Sequence, residues 1–96
     1  MLIVPKAHCV DIFELSEEYS SRLMPLASRL ANQIKESLGC TGLNILQNNG
    51  AVAGQVVFHY HMHLIPRYEN DNMQIGWQHI NPTKEEFANM LSALKI

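Results

Sequence analysis

The chain is short of most features that mark a secreted, membrane or nucleic-acid-binding protein. Only two cysteines, Cys9 and Cys40, occur among its 96 residues. Two cysteines do not make a disulfide framework, so a reduced, cytoplasmic protein is the expectation. No apolar run approaches the ~20 residues of a membrane span. The apolar start at residues 1–5 ends at once with Pro5 and Lys6, too early for a secretory leader. Basic charge is also scarce: seven Lys and Arg against nine Asp and Glu give a formal net charge of −2. That excludes the broad positive field that nucleic acid needs, and any phosphate must be bound locally, by histidines and backbone amides. Repeats and low-complexity stretches are absent. The length fits one domain, residues 1–96, and a 47% hydrophobic content supports one modest core.

The elements can be read from periodicity and punctuation. Leu2-Ile3-Val4 reads as a short strand stopped by Pro5. Ser16 can cap a helix, with Glu17 and Glu18 favoured in its first turn. Leu23, Leu26, Ala27, Leu30, Ala31, Ile34 and Leu38 follow the helical period up to a stop at Gly39. Pro25 lies inside this pattern and should kink the helix or leave one carbonyl unpaired. Leu43–Gln47 and residues 56–65 read as antiparallel neighbouring strands, the second stopped by Pro66. Glu69 to Gln74 is a polar stretch expected to be mobile. Thr83 and Glu86 form a capping box for a last helix. The stripe Phe87, Met90, Leu91 and Leu94 on that helix is expected in core or dimer packing. The fold class is α+β: an antiparallel sheet with a long helix and a C-terminal helix on one face.

Within the third strand three histidines alternate with apolar residues: Phe58-His59-Tyr60-His61-Met62-His63-Leu64-Ile65. A strand sends successive side chains to opposite faces. His59, His61 and His63 therefore share one face, while Phe58, Tyr60, Met62 and Leu64 share the other, which must be core. A solvated His-rich face and a metal module are alternative readings. One ion cannot easily be shared by the whole row, because its outer members stand about 13 Å apart at ~3.3 Å per residue. The row suits an extended anion better. Upstream, Asn48-Asn49-Gly50-Ala51-Val52-Ala53-Gly54-Gln55 is a turn-rich loop whose amides, at residues 54–56 in particular, can form an anion nest. A neutral imidazole is a good nucleophile near neutral pH, and phosphoryl chemistry needs donors around the non-bridging oxygens. The residues thus support attack on phosphorus by a histidine.

The stretch Asn48 to Arg67 resembles the histidine triad (HIT) family, with its His-φ-His-φ-His-φ-φ signature after a Gly-Gln pair, and its small HINT-like bacterial branch in particular. Leu2-Ile3-Val4-Pro5-Lys6-Ala7-His8 and the long helix around Pro25-Leu26-Ala27 are similar to family segments too. The resemblance implies that His61 attacks the α-phosphorus of a nucleotide and forms a nucleotidyl-histidine. It implies that His63 hydrogen-bonds phosphate or leaving group and that His59 orients the site. Substrate contacts are implied for Asn48, Gly54, Gln55, Val56 and His63. Implied substrates are purine nucleotides: nucleoside phosphoramidates, acyl-nucleotides or dinucleoside polyphosphates. A homodimer is implied, through the long helix and its neighbouring strand. No nucleic-acid or membrane partner and no cofactor are implied. No metal is implied: the Cys pair that joins the match of His8 and the first triad histidine in zinc-carrying relatives has no counterpart, so zinc is not expected.

Two departures qualify the resemblance. Relative to the family the chain reads as N-terminally truncated: the segment that supplies much of the base and ribose pocket normally precedes the match to residues 1–6. An exposed sheet edge, covered by another subunit or sticky, is the expected consequence. At Val56 many relatives carry a hydroxyl that touches phosphate, a difference worth on the order of 1–3 kcal/mol. The alternative to an enzyme is a non-catalytic nucleotide- or partner-binding remnant of the family.

Overall fold

Ser16 starts the longest element. The computed structural model describes residues 1–95, and in it helix α1 spans Glu17–Leu38. The Ser16 hydroxyl accepts from the Tyr19 amide, satisfying one of the donors a helix start leaves free. Gly39 closes the helix at φ 62°, its N–H donating to the Lys35 carbonyl at 3.0 Å. That left-handed backbone is why glycine stands there. Pro25 does not break α1, which runs through it. Its missing N–H removes the bond that the Ser21 carbonyl would otherwise accept.

The sheet consists of β1 (Leu2–Ile3), β2 (Gly42–Leu46) and β3 (Met62–Arg67) in the order β1-β3-β2, antiparallel throughout. His63 lies opposite Leu2 on one side and Leu46 on the other. One face packs on α1. Ile3, Cys9, Leu23, Ala27, Ile34, Cys40, Tyr60, Met62 and Leu64 form the core. The α+β architecture expected from the sequence is the one observed.

Three expectations need correction. First, β3 begins at Met62, not at residue 56, because residues 57–59 form a bend. The alternation holds for Tyr60, Met62 and Leu64, which are buried, but Phe58 lies before it and is half exposed. Second, β3 continues through Pro66 to Arg67. Leu64 exchanges hydrogen bonds with Met1 on the β1 side. Pro66, two residues further, turns its nitrogen to the same side, away from β2. Its missing N–H therefore costs no bond to β2, and the β2–β3 pairing runs through it.

Third, the chain after β3 does not return to the core. Helix α2 (Lys84–Leu94) carries the full Thr83–Glu86 capping box, yet none of its residues is buried. Phe87, Met90, Leu91 and Leu94 are all exposed, as is Trp77. The radius of gyration is 16.7 Å, whereas a compact chain of this length has about 12.5 Å. The excess comes from this arm. Its exit is set by Arg67, whose guanidinium donates to both Asp71 oxygens, to Asn44 Oδ1 at 2.8 Å and to the Met73 carbonyl. Asp71 also accepts from the Tyr68 and Met73 amides. These bonds, the Arg67 pair first, hold its carboxyl well below the usual carboxylate range. The Glu69–Gln74 stretch is therefore organised around a clamp. Arg67 belongs to that clamp and is not free to face phosphate.

Candidate active site

The bend before β3 and the first turn of β3 bring His59, His61 and His63 together at partial exposure. Each ring is positioned differently. The Nδ1 of His61 lies 2.8 Å from the carbonyl oxygen of His59. A carbonyl can only accept, so Nδ1 carries the proton. Neutral His61 therefore has its lone pair on Nε2, and among the described residues no protein donor occupies that nitrogen. The His63 ring stands edge-on to it, with centroids 5.0 Å apart at 72°. Burial first, and then the neighbouring His61, push the His63 pKa below its ordinary value. Near neutral pH His63 is thus uncharged, able to donate from one nitrogen and accept at the other.

His59 is anchored from both sides. Its Nε2 lies 3.0 Å from the Pro5 carbonyl, and its Nδ1 lies 3.2 Å from Nδ1 of His8. By the same reasoning Nε2 of His59 is the donor to Pro5, and the neutral ring accepts from His8. His8 is an exposed residue outside the alternating row. It stands 51 residues from His59 in sequence, and only the pairing of β1 with β3 brings them together. No group of three or more His, Cys, Asp or Glu converges on one point among the described residues.

The loop contributes less than expected through side chains and more through backbone. Gly54 takes φ 94°, open in practice only to glycine, and the Asn48 amide donates to its carbonyl at 3.4 Å. Val56 is exposed and offers no polar side-chain group. Gln55 corrects the sequence reading most. It is 5% exposed, and its amide is fully committed to backbone: Oε1 accepts from Gly50, and Nε2 donates to Val10 and Val57. Of the amides at residues 54–56 expected to meet an anion, those of Gly54 and Gln55 are spent on the Ala51 and Gly50 carbonyls. Among the described residues, the amides of Val56, Val57, Phe58 and His59 meet no protein acceptor. The sequence reading also missed Gln47 and Asn49, which hydrogen-bond each other reciprocally while Asn49 accepts from the Ile12 amide. They tie the loop to the segment before α1.

Beside the histidines lies a pocket of about 220 Å³ lined by Leu2, Val4, Val57, His59 and His61. Its walls suit a flat apolar group such as a base or an aromatic leaving group, next to a nitrogen nucleophile and unpaired amides. A larger concavity, about 780 Å³, lies between Arg67 and the Met73–Gln78 segment. It is at the opposite end of β3 and holds none of the histidines.

Comparison with known proteins agrees with this geometry. The model of the HIT domain family matches residues 1–70. Protein hit of Bacillus subtilis is 38% identical over 96 residues, covering 97% of this chain and 66% of that protein. The adenosine 5'-monophosphoramidase HNT1 of Saccharomyces cerevisiae is 42% identical over 77 residues, 79% of this chain and 46% of that one. The crystal structure of a HIT family protein from Bacillus anthracis superposes with a TM-score of 0.87 at 42% identity, covering 98% of this chain and 69% of that one. The chain spans about half to two thirds of the length of the curated relatives it matches.

Proposed function

The chain belongs to the HIT domain family, and from that premise we propose that it is a nucleotide hydrolase or transferase acting at the α-phosphate of purine nucleotides. The observation that carries the proposal is the Nδ1–H of His61 donating to the His59 carbonyl. It leaves Nε2 as a held, unprotonated nucleophile beside a nearby imidazole and unpaired amides. In the proposed reaction His61 Nε2 bonds to the α-phosphorus while the bond from phosphorus to the leaving group breaks. His63 hydrogen-bonds the phosphate or the leaving group. His59 orients the site, and the amides from Val56 onward take the charge developing on the non-bridging oxygens. Water then breaks the phosphorus–nitrogen bond and releases the nucleoside monophosphate. The phosphoramidase activity named for the yeast relative supports phosphoramidates as one substrate class. Acyl-nucleotides and dinucleoside polyphosphates present the same α-phosphorus.

No cofactor enters this scheme. We propose a homodimer, supported by the exposed apolar stripe of α2 and by Met24 and Leu38 on the outer face of α1. Nucleic acid is not a proposed partner, given the net charge of −2. No helix of the described residues is long and apolar enough to cross a membrane. A reducing, cytoplasmic location is proposed on the two free buried thiols. Burial, then Glu14 and Asp11, raise the Cys9 pKa, so this thiol is not a competing nucleophile.

A second reading has one observation in its favour. The pocket at the triad, about 220 Å³, is smaller than the ~300–1,000 Å³ usual for ligand sites. That fits a domain that binds nucleotide or a partner without turnover. Assay of a fluorogenic adenosine phosphoramidate separates the two. AMP release by the wild-type chain supports the hydrolase; AMP binding without release supports the binding module.

A further inference from the structure

We infer that Gln55 is a positioning residue for the proposed phosphate site and makes no contact with the nucleotide itself. The inference rests on the hydrolase reading above and goes against the phosphate contact that the family resemblance implies for this residue.

Three observations carry it. Gln55 is the buried polar residue among a set of otherwise apolar buried side chains. Its carboxamide has two N–H donors, and both are used, at 2.7 Å on Val10 and 3.1 Å on Val57, while Oε1 accepts from Gly50 at 2.7 Å. The side chain thus joins the segment before α1, the start of the loop and the bend that leads into the triad. To reach a phosphate it would have to abandon the Val10 and Val57 carbonyls and the Gly50 amide together.

The third observation is where the loop's amides change use. Gly50, Ala53, Gly54 and Gln55 all donate within the loop, whereas Val56 to His59 donate to no protein acceptor among the described residues. Gln55 stands at that boundary. Its bond to the Val57 carbonyl fixes the bend carrying the unpaired amides, and His61 hangs from the His59 carbonyl just beyond. A side chain that holds this bend sets the distance between phosphate donors and nucleophile without touching either.

The test is amide NMR of the labelled full chain titrated with AMP. The account expects the backbone amides of Val56 to His59 to shift on AMP addition. It expects the Gln55 side-chain NH₂ pair to stay put and to remain slow to exchange. Movement of that NH₂ pair together with faster exchange would mean a direct contact and would overturn the inference. The variant Gln55→Glu keeps the acceptor for Gly50 but loses both donors, including the bond to the Val57 carbonyl. It is expected to shift the backbone amides of Val56 to His59 before any ligand is added, and to weaken AMP binding about ten-fold. Unchanged Val56 to His59 amides in a folded Gln55→Glu chain would also overturn it. If this variant does not fold, the wild-type NH₂ readout still decides. Wild-type amides that ignore AMP altogether would remove the phosphate site and this role with it. Shifts at Val56 to His59 without any turnover would retire the hydrolase reading and leave the positioning role standing.

Discussion

One backbone carbonyl determines which nitrogen of neutral His61 keeps its lone pair. The sequence made the row of histidines legible, because alternation on a strand depends on nothing distant. It could not reveal that His59 supports the row through its main chain, or that His8 joins it from 51 residues away. It could not show where Gln55 points, because a glutamine before a histidine strand looks the same whether it faces a ligand or three backbone groups. Two substitutions test the site at this scale. Val56→Ser returns a hydroxyl beside the unpaired amides and should raise kcat/KM about five- to ten-fold, the ~1 kcal/mol of one added hydrogen bond. Steady-state kinetics on an adenosine phosphoramidate will show it; a fall in a folded variant would mean the hydroxyl points elsewhere. His63 holds its proton less readily in the folded chain than in the unfolded one. The unfolded chain therefore binds more protons as pH falls through about 6.5, and stability declines with acidification. Urea midpoints at about pH 7.5 and about pH 5.5 should fall less in His63→Asn than in wild type.

At the scale of elements, caps and periods decided what could be read. The start and end of α1 followed from Ser16 and Gly39, and α2 from its capping box. The edges of β3 did not. Alternation alone cannot show where a bend ends and a ladder begins, and Pro66 leaves the β2–β3 pairing intact because its nitrogen faces away from β2, a fact of topology. Pro25 is an internal proline on the exposed side of α1. Pro25→Ala restores a backbone donor to the Ser21 carbonyl and should stabilise the chain by about 1–3 kcal/mol in urea unfolding. No change would mean that the carbonyl is satisfied by other means. On β3, Leu64 is fully buried at the centre of the core. Leu64→Ala should cost about 2–5 kcal/mol, read in the same experiment.

For the whole molecule, nothing in the sequence warned that residues 75–95 would stand away from the core. An amphipathic stripe looks the same whether it will meet its own sheet or another chain. Here Phe87, Met90, Leu91 and Leu94 are left uncovered, on an 11-residue helix too short to persist alone in water. A second copy that covers it would explain both facts. Light scattering is therefore expected to report twice the monomer mass, and a double substitution of Met90 and Leu91 to Ser should shift the mass toward monomer. A wild-type chain that stays monomeric at high concentration would count against the dimer.

The central claim is that His61 Nε2 attacks phosphorus, and a single measurement reaches it directly. The chain is incubated with an adenosine phosphoramidate, quenched during turnover in alkali, where phosphohistidine survives, and examined by mass spectrometry. The account predicts an added AMP on the peptide carrying His61, absent in His61→Ala, whose AMP release should fall at least a thousand-fold, on the order of 4 kcal/mol. AMP attached to a different residue, or release that persists undiminished in a folded His61→Ala chain, would contradict it.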